Sequence, residues 1–418
     1  MSRTVAVALV LSITAALYHW PAGSTAAAAE VDEGIAQVRM GRLIIEADAG
    51  AEVRVEQLRH EFWFGAALAN QAFDGRMSQA DAQRYREVFL ENFNAAVTEN
   101  ALKWHSMERR QGEVDYRVVD AMLDWTEEHD IPLRGHNVFW GIRRFVQPWL
   151  QELDDDALLA TLEARARDVG RRYRGRFADY DLNNEMLHGN YYEDRLGPDI
   201  TRKMAAWIHE EDPDAVLFLN DYNILTGRRV DDYVAHIEAF LEQGVALGGI
   251  GVQGHSHGDS FDPDAVREAL DKLARFGLPV LVTEFNFPGQ NSKHYRNREA
   301  RLTDEEEQAK AQAIVDYYRI CFAHPAVDGI LMWGFWEGAN WIPVSSLYRR
   351  DWTPTPAAEA YRDLVYRQWW TRWQGETDAQ GRCEVPAFFG NYRVTVGDAE
   401  RVVTLKKAEG VATVSFEE

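Results

Sequence analysis

From Phe62 onward the chain alternates short apolar runs with longer stretches in which apolar residues recur every three or four positions. The short runs cover residues 62–68, 93–98, 132–140, 179–184, 215–220, 249–254, 279–283 and 329–333. Apolar runs of this length, bounded by Gly, Pro and polar clusters, predict buried strands. The intervening stretches predict amphipathic helices. Val118, Val119, Met122, Leu123, Trp125 and Thr126 fall on one helical face. Thr303-Asp304-Glu305-Glu306 has the form of a capping box, and Asp262-Pro263 and Glu211-Asp212-Pro213 punctuate other helix ends. Eight strand–helix units of about 30 to 45 residues predict an α/β protein, a (β/α)8 TIM barrel. A doubly wound sheet fits less well, because no Gly-rich phosphate loop follows the first strand.

Both ends of the chain carry a different pattern. Residues 43–47 and 52–58 alternate as strands do around Asp48-Ala49-Gly50, and so do 392–396, 402–405 and 411–414. A lone hairpin is marginal in water, so the two ends are expected to pair into one small β-rich appendage beside the barrel. Its simplest role is to brace the barrel, with sugar binding as the alternative. The expected organisation is a signal peptide over 1–29, an appendage segment over 30–60, a catalytic barrel over 61–370 and a second appendage segment over 371–418. The signal assignment rests on Arg3, the apolar stretch from Val5 to Leu17 and Ala26-Ala27-Ala28-Ala29. That stretch is short for a membrane span. A secreted or periplasmic location follows as an expectation, with an uncleaved N-terminal anchor as the alternative.

Composition narrows the partners. The 418 residues are 46% hydrophobic and 27% charged, ample for one large barrel and an appendage. A net charge of −22 argues against nucleic acid and anionic membranes, and disfavours a polyanionic substrate unless a local patch overrides the global sign. A monomer is expected. Cys321 and Cys383 allow at most one intrachain disulfide and no cysteine-based zinc site.

The chemistry gathers where the strands end. Glu185 closes the fourth strand and Glu284 the seventh, and a carboxylate at the end of a buried strand is costly unless it faces a solvated site. Singly, each is as readily explained by an ion pair with a nearby Arg or Lys. Around them, however, come Glu99, Asn100 and Lys103 after the second strand, and His136 and Trp140 in the third. Asn184 precedes Glu185, and Asn220-Asp221-Tyr222 ends the fifth strand. Gln253 and His255 end the sixth, Asn286 follows the seventh, and Trp333 and Trp341 follow the eighth. So many polar strand ends must bond one another or a ligand. The set suits hydroxyl groups, and tryptophan faces stack on sugar rings. Two carboxyls with hydroxyl-binding neighbours suit glycoside hydrolysis. His136, His255 and His257 match no common zinc spacing, so no metal and no cofactor is expected. No Gly-x-Ser-x-Gly turn supports an esterase.

These motifs resemble glycoside hydrolase family 10, the endo-β-1,4-xylanases. The matching pieces are Thr98-Glu99-Asn100-Ala101-Leu102-Lys103-Trp104, Arg134-Gly135-His136, Asn184-Glu185, Gly251-Val252-Gln253-Gly254-His255, Thr283-Glu284 and Trp333-Gly334, in family order over about three quarters of the chain. Arg134 to Trp140 and Asn183 to His188 look most like the plant-type branch. The resemblance implies a retaining mechanism on xylan, with Glu284 as nucleophile and Glu185 as acid/base. It implies that Asn184 holds the sugar 2-hydroxyl and that Glu99, Asn100, Lys103, His136 and Gln253 bind the non-reducing side. Trp140, Trp333 and Trp341 would wall the cleft, His255 would hold the nucleophile, and Tyr222 would line the leaving-group side. Gly141 stands where many members have His, and Asn286 where many have Asp. The alternatives are a barrel glycosidase for another β-glycan and a non-catalytic polysaccharide-binding protein.

Overall fold

The alternating pattern closes into a ring of parallel strands. The computed structural model describes residues 33–416, so the expected signal peptide lies outside the described residues. In chain order the strands are β1 (Met40–Glu46), β2 (Glu52–His60), β3 (Trp63–Leu68), β4 (Ala95–Thr98), β5 (Leu133–Gly135), β6 (Phe139–Trp140), β7 (Asp179–Asn184) and β8 (Leu217–Asp221). They continue as β9 (Gly249–Val252), β10 (Val280–Phe285), β11 (Val327–Met332), β12 (Arg372–Glu376), β13 (Arg382–Phe388), β14 (Gly390–Val396), β15 (Ala399–Leu405) and β16 (Val411–Ser415). Strands β3 to β11 form one sheet, closed by pairing of β3 with β11 and of β5 with β7. This is the expected (β/α)8 barrel. Its strands are buried on both faces, as a sheet wrapped by helices requires.

The expected strand over 132–140 is two short strands instead. β5 pairs with the start of β7 (Arg134↔Asp179), and β6 pairs with its end (Phe139↔Asn183). Between them the chain leaves the ladder. Thr98 and His136 exchange hydrogen bonds there, at 3.0 and 2.9 Å, and the Val138 N–H donates to the Asp181 carbonyl. An apolar run shows no such interruption, because Val138 and Phe139 are buried whether or not they pair.

The helices form as their caps predict. Thr303 and Glu306 make a full capping box at the start of Asp304–Ala323, and Asp262 caps Pro263–Ala274. Helix Arg117–Glu128 buries Val119, Met122, Leu123 and Thr126 against the barrel. Among the described residues no helix is long and apolar enough to cross a membrane. Cys321 is buried in Asp304–Ala323, Cys383 lies in β13, and both thiols are free.

The two chain ends pair as expected, in two small sheets ordered β13-β1-β16 and β12-β2-β14-β15. Leu43, Ile45, Val53, Val55, Val385, Tyr392 and Val394 fill the space between them. Strands β12 and β13 went unpredicted. β12 is a polar edge strand, and β13 contains Pro386. The sandwich docks on the barrel end opposite the strand C-termini. Buried Arg39 donates to the carbonyls of Phe322, His324 and Val327, and Lys407 pairs with Asp328 at 2.9 Å.

Candidate active site

Because the barrel strands are parallel, their C-terminal ends share one rim. Glu185 sits there, directly after β7. Its backbone is left-handed (φ 59°, ψ 36°), uncommon for a residue with a side chain. Neighbours hold it so: the Glu185 N–H donates to the Asn220 carbonyl (2.9 Å), and the Leu187 N–H to Asp221 Oδ2 (2.9 Å). The carboxyl receives only uncharged donors, Gln253 Nε2 on Oε1 (2.8 Å) and Trp140 Nε1 on Oε2 (3.1 Å). Burial raises its pKa. The negative charges of Glu284 and Asp221 raise it further, against the bond from Gln253 and the His136 charge.

Glu284 lies within β10 in a different environment. Asn220 Nδ2 donates to Oε1 (2.9 Å), His255 Nε2 lies 3.2 Å from Oε2, and His136 Nδ1 lies 3.8 Å from Oε1. Burial pushes this carboxyl up, but His136, His255 and Lys103 outweigh it and hold the pKa at about 2. The two neighbouring carboxyls are thus shifted in opposite directions, Glu185 up and Glu284 down, the kind of separation that acid–nucleophile pairs need.

Nearly all the residues singled out in the sequence come together. Glu99, Asn100, Lys103, His136, Trp140, Tyr222, Gln253, His255, Trp333 and Trp341 line one cleft of about 360 Å³ with the two glutamates. Lys103 donates to Asn100 Oδ1 (2.9 Å), and its ammonium lies 5.0 Å from the Trp140 ring centre and 5.6 Å from that of Trp333. Burial moves Lys103 down and Glu99 up, the latter to about 6 despite the Lys103 charge. Asn184 is fully buried behind the cleft. Its Oδ1 accepts from Asn220 (3.1 Å), while its Nδ2 has no hydrogen-bond partner among the described residues. Asn286 Oδ1 lies 3.0 Å from His255 Nδ1, which fixes the ring toward Glu284. Gly141 is crowded, since a Cβ there would stand 3.0 Å from Asn190 Oδ1.

Some working parts escaped the sequence. Asn220 belongs to the polar strand ends, yet its double role, bridging Asn184 and Glu284, needs the barrel's curvature to be seen. Asp181 accepts from His136 (2.7 Å) and, with Asp179, from buried Arg134. Asp179 and Asp181 alternate with Tyr180 and Leu182 along β7, which was the available signal. Arg144 and Phe145, in a one-turn 3-10 helix, and Gln290, in a turn, also line the cleft from segments too short to carry a periodic signal. His257 lines an adjoining cavity, and among the described residues no cluster of His, Cys, Asp or Glu is arranged to hold a metal.

A (β/α)8 barrel with two such carboxyls in a hydroxyl-binding cleft at its strand C-termini is a glycoside hydrolase architecture. The chain belongs to glycosyl hydrolase family 10, whose model matches residues 55–364. It is 36% identical over 356 residues to endo-1,4-beta-xylanase 2 of Arabidopsis thaliana, covering 84% of this chain and 31% of that protein. It is 33% identical over 348 residues to anti-sigma-I factor RsgI6 of Acetivibrio thermocellus, covering 83% and 42%. The chain thus spans between about a third and two fifths of these relatives. Native xylanase 10B of Thermotoga maritima superposes with a TM-score of 0.65 at 25% identity, covering 74% of this chain and 96% of that one.

Proposed function

We propose that this protein is a retaining endo-β-1,4-xylanase that works as a monomer outside the cytoplasm. The observation that carries the reading is a pair of buried carboxyls in one cleft with opposite surroundings, Glu185 held by the neutral donors of Gln253 and Trp140 and Glu284 flanked by His136, His255 and Asn220. Family membership and the xylanase names of several relatives support the substrate.

Each residue then has a task. Ionised Glu284 attacks the anomeric carbon while Glu185 gives its proton to the departing glycosidic oxygen, so the carbon–oxygen bond breaks as the glycosyl ester forms. Glu185, now a carboxylate, takes a proton from water. The water oxygen bonds to the anomeric carbon, and Glu284 is released. Two inversions give net retention. Asn184 Nδ2 is the donor for the 2-hydroxyl beside the reacting carbon. Lys103, Asn100, Glu99, His136 and Gln253 bind the glycone, and Trp140, Trp333 and Trp341 hold the ring faces. Tyr222 meets the leaving group, and His255 positions Glu284.

Such a path needs carboxyl groups about 5–5.5 Å apart, against about 6.5–9.5 Å for inversion. Proton NMR during hydrolysis of a xylo-oligosaccharide should therefore show the β-anomer first. An α-anomer first would overturn the mechanism. Incubation with xylan, arabinoxylan and mixed-linkage glucan tests the substrate. Cleavage of the glucan in preference to xylan would overturn that part.

A further inference from the structure

The protein is acidic, with 67 Asp and Glu against 45 Lys and Arg. Many of its exposed arginines have a carboxylate beside them. Arg117 pairs with Asp115, and Arg171 with Glu211. Two arginines at the end of the cleft next to Tyr222 are left without one. Arg144 lines the cleft and Arg228 lines an adjoining cavity of about 290 Å³ that shares His255 with it. Both are exposed, and among the described residues neither has an ion-pair partner. Arg144 instead lies over the Phe145 ring (4.6 Å), which stacks on Trp140 (3.7 Å), whose Nε1–H reaches Glu185. The Arg144 charge is felt at the Tyr222 hydroxyl and the Arg228 charge at His257. His188 stacks on Tyr222 at 3.6 Å.

The nearby carboxylates are already engaged. Asp221 is buried, accepts from the N–H groups of Leu187 and Tyr222, and lies 3.2 Å from His188 Nε2. Asp262 caps a helix N-terminus. The leaving-group end of the cleft is therefore a local cationic surface on a protein of net negative charge. A guanidinium left free of carboxylates is suited to receiving one in bidentate form.

We propose that Arg144 and Arg228 bind the carboxylate of a uronic acid branch on the sugar chain, on the side that departs. This rests on the xylanase reading above. A β-1,4-linked xylose unit has no carboxyl of its own and keeps free hydroxyls only at C2 and C3. An anion can reach these arginines only on a branch at one of those positions. The cations thus select decorated over plain chain, while the glutamates and the glycone-binding residues act on either.

The test compares paired xylo-oligosaccharides that differ only by one uronic acid branch. Calorimetry measures their binding to Glu284→Gln protein, with and without Arg144→Gln and Arg228→Gln, so the readout does not depend on turnover. The parent should bind the acidic member more tightly. The ratio of the two affinities should fall about three- to tenfold when both arginines are replaced. Raising salt from about 0.02 M to about 0.5 M should shrink the ratio in the parent and leave it flat in the double replacement. Equal weakening toward both ligands, or no preference in the parent, would overturn the proposal. If wild-type protein fails to cleave either ligand, the xylanase reading fails, and the affinity ratio still decides the role of the arginines. Unchanged melting temperatures show that the replacements fold.

Discussion

In the proposed mechanism the two glutamates do opposite work because of their neighbours. The Glu185 pKa is raised, by burial first and then by the charges of Glu284 and Asp221, while its direct donors, Gln253 and Trp140, are neutral. Glu284 loses its proton since His136, His255 and Lys103 surround it. Glu284→Ala should abolish turnover on every substrate, because no nucleophile remains. Glu185→Ala should lower kcat on xylan by about 10²- to 10⁴-fold. It should largely spare the first step on aryl glycosides with good leaving groups, which need little protonation, and azide should then speed the stalled second step. Equal losses on both substrate types without azide rescue would show that Glu185 is not the acid. The pair is also electrostatically coupled. Glu284→Gln removes a negative charge, so ionisation of Glu185 becomes easier and its pKa falls. Carbon-13 NMR titration of labelled glutamate should show this downward move, and a constant or rising Glu185 pKa would contradict it.

Among the strands, β5 and β7 carry a buried network that a purely aliphatic barrel interior lacks. Arg134 is fully buried, bonded to Asp179 and Asp181, and Asp181 in turn holds His136 toward Glu284. Burial moves Asp179 up to about 7 in spite of Arg134. Arg134→Met should cost about 3–5 kcal/mol, since it leaves two carboxyls buried without a counter-charge. The sign with pH follows from those carboxyls. Their pKa values in the folded state would rise above the unfolded values, so stability falls as pH increases through that interval. The loss in melting temperature should be larger at about pH 8 than at about pH 5. An equal loss at both would argue that packing, not charge, is what Arg134 supplies. The sequence displayed most of this layer. Seven of the eight predicted strands lie within two residues of the observed ends, because a parallel sheet covered on both faces leaves uninterrupted apolar runs. The third failed for the same reason. Phe139 and Val138 are buried in any arrangement, so hydrophobicity alone could not mark where pairing lapses.

The whole molecule joins a barrel to a sandwich built from both ends of the chain. β1 lies between β13 and β16, and β2 between β12 and β14, so the N-terminal strands depend on the last forty-odd residues for every partner. Removing residues 371–418 should lower the melting temperature and promote aggregation through the freed strand edges. Activity per folded molecule on short soluble xylo-oligosaccharides should stay close to wild type, because the sandwich docks on the end of the barrel away from the cleft. A truncation that keeps its melting temperature but loses binding to insoluble xylan would make the sandwich a sugar-binding module. This arrangement was partly legible. Alternation in 392–396 and 402–405 announced strands, whereas polar β12 and the proline of β13 hid theirs. The cleft was legible through its strand-end residues and illegible where the short connections between elements supply it, as with Arg144 in a single 3-10 turn and Gln290 in a turn. A loop side chain reaches the site through the path of the backbone, which no periodicity encodes.

The central claim is that Glu284 forms a covalent bond to the sugar. A 2-fluoro xylobioside with a good leaving group tests it directly, since the fluorine slows both steps and the leaving group rescues only the first. Mass spectrometry of the inactivated protein should show one added glycosyl unit, and peptide mapping should place it on Glu284. Absence of an adduct on a protein that hydrolyses xylan, or an adduct on Glu185, would contradict the account.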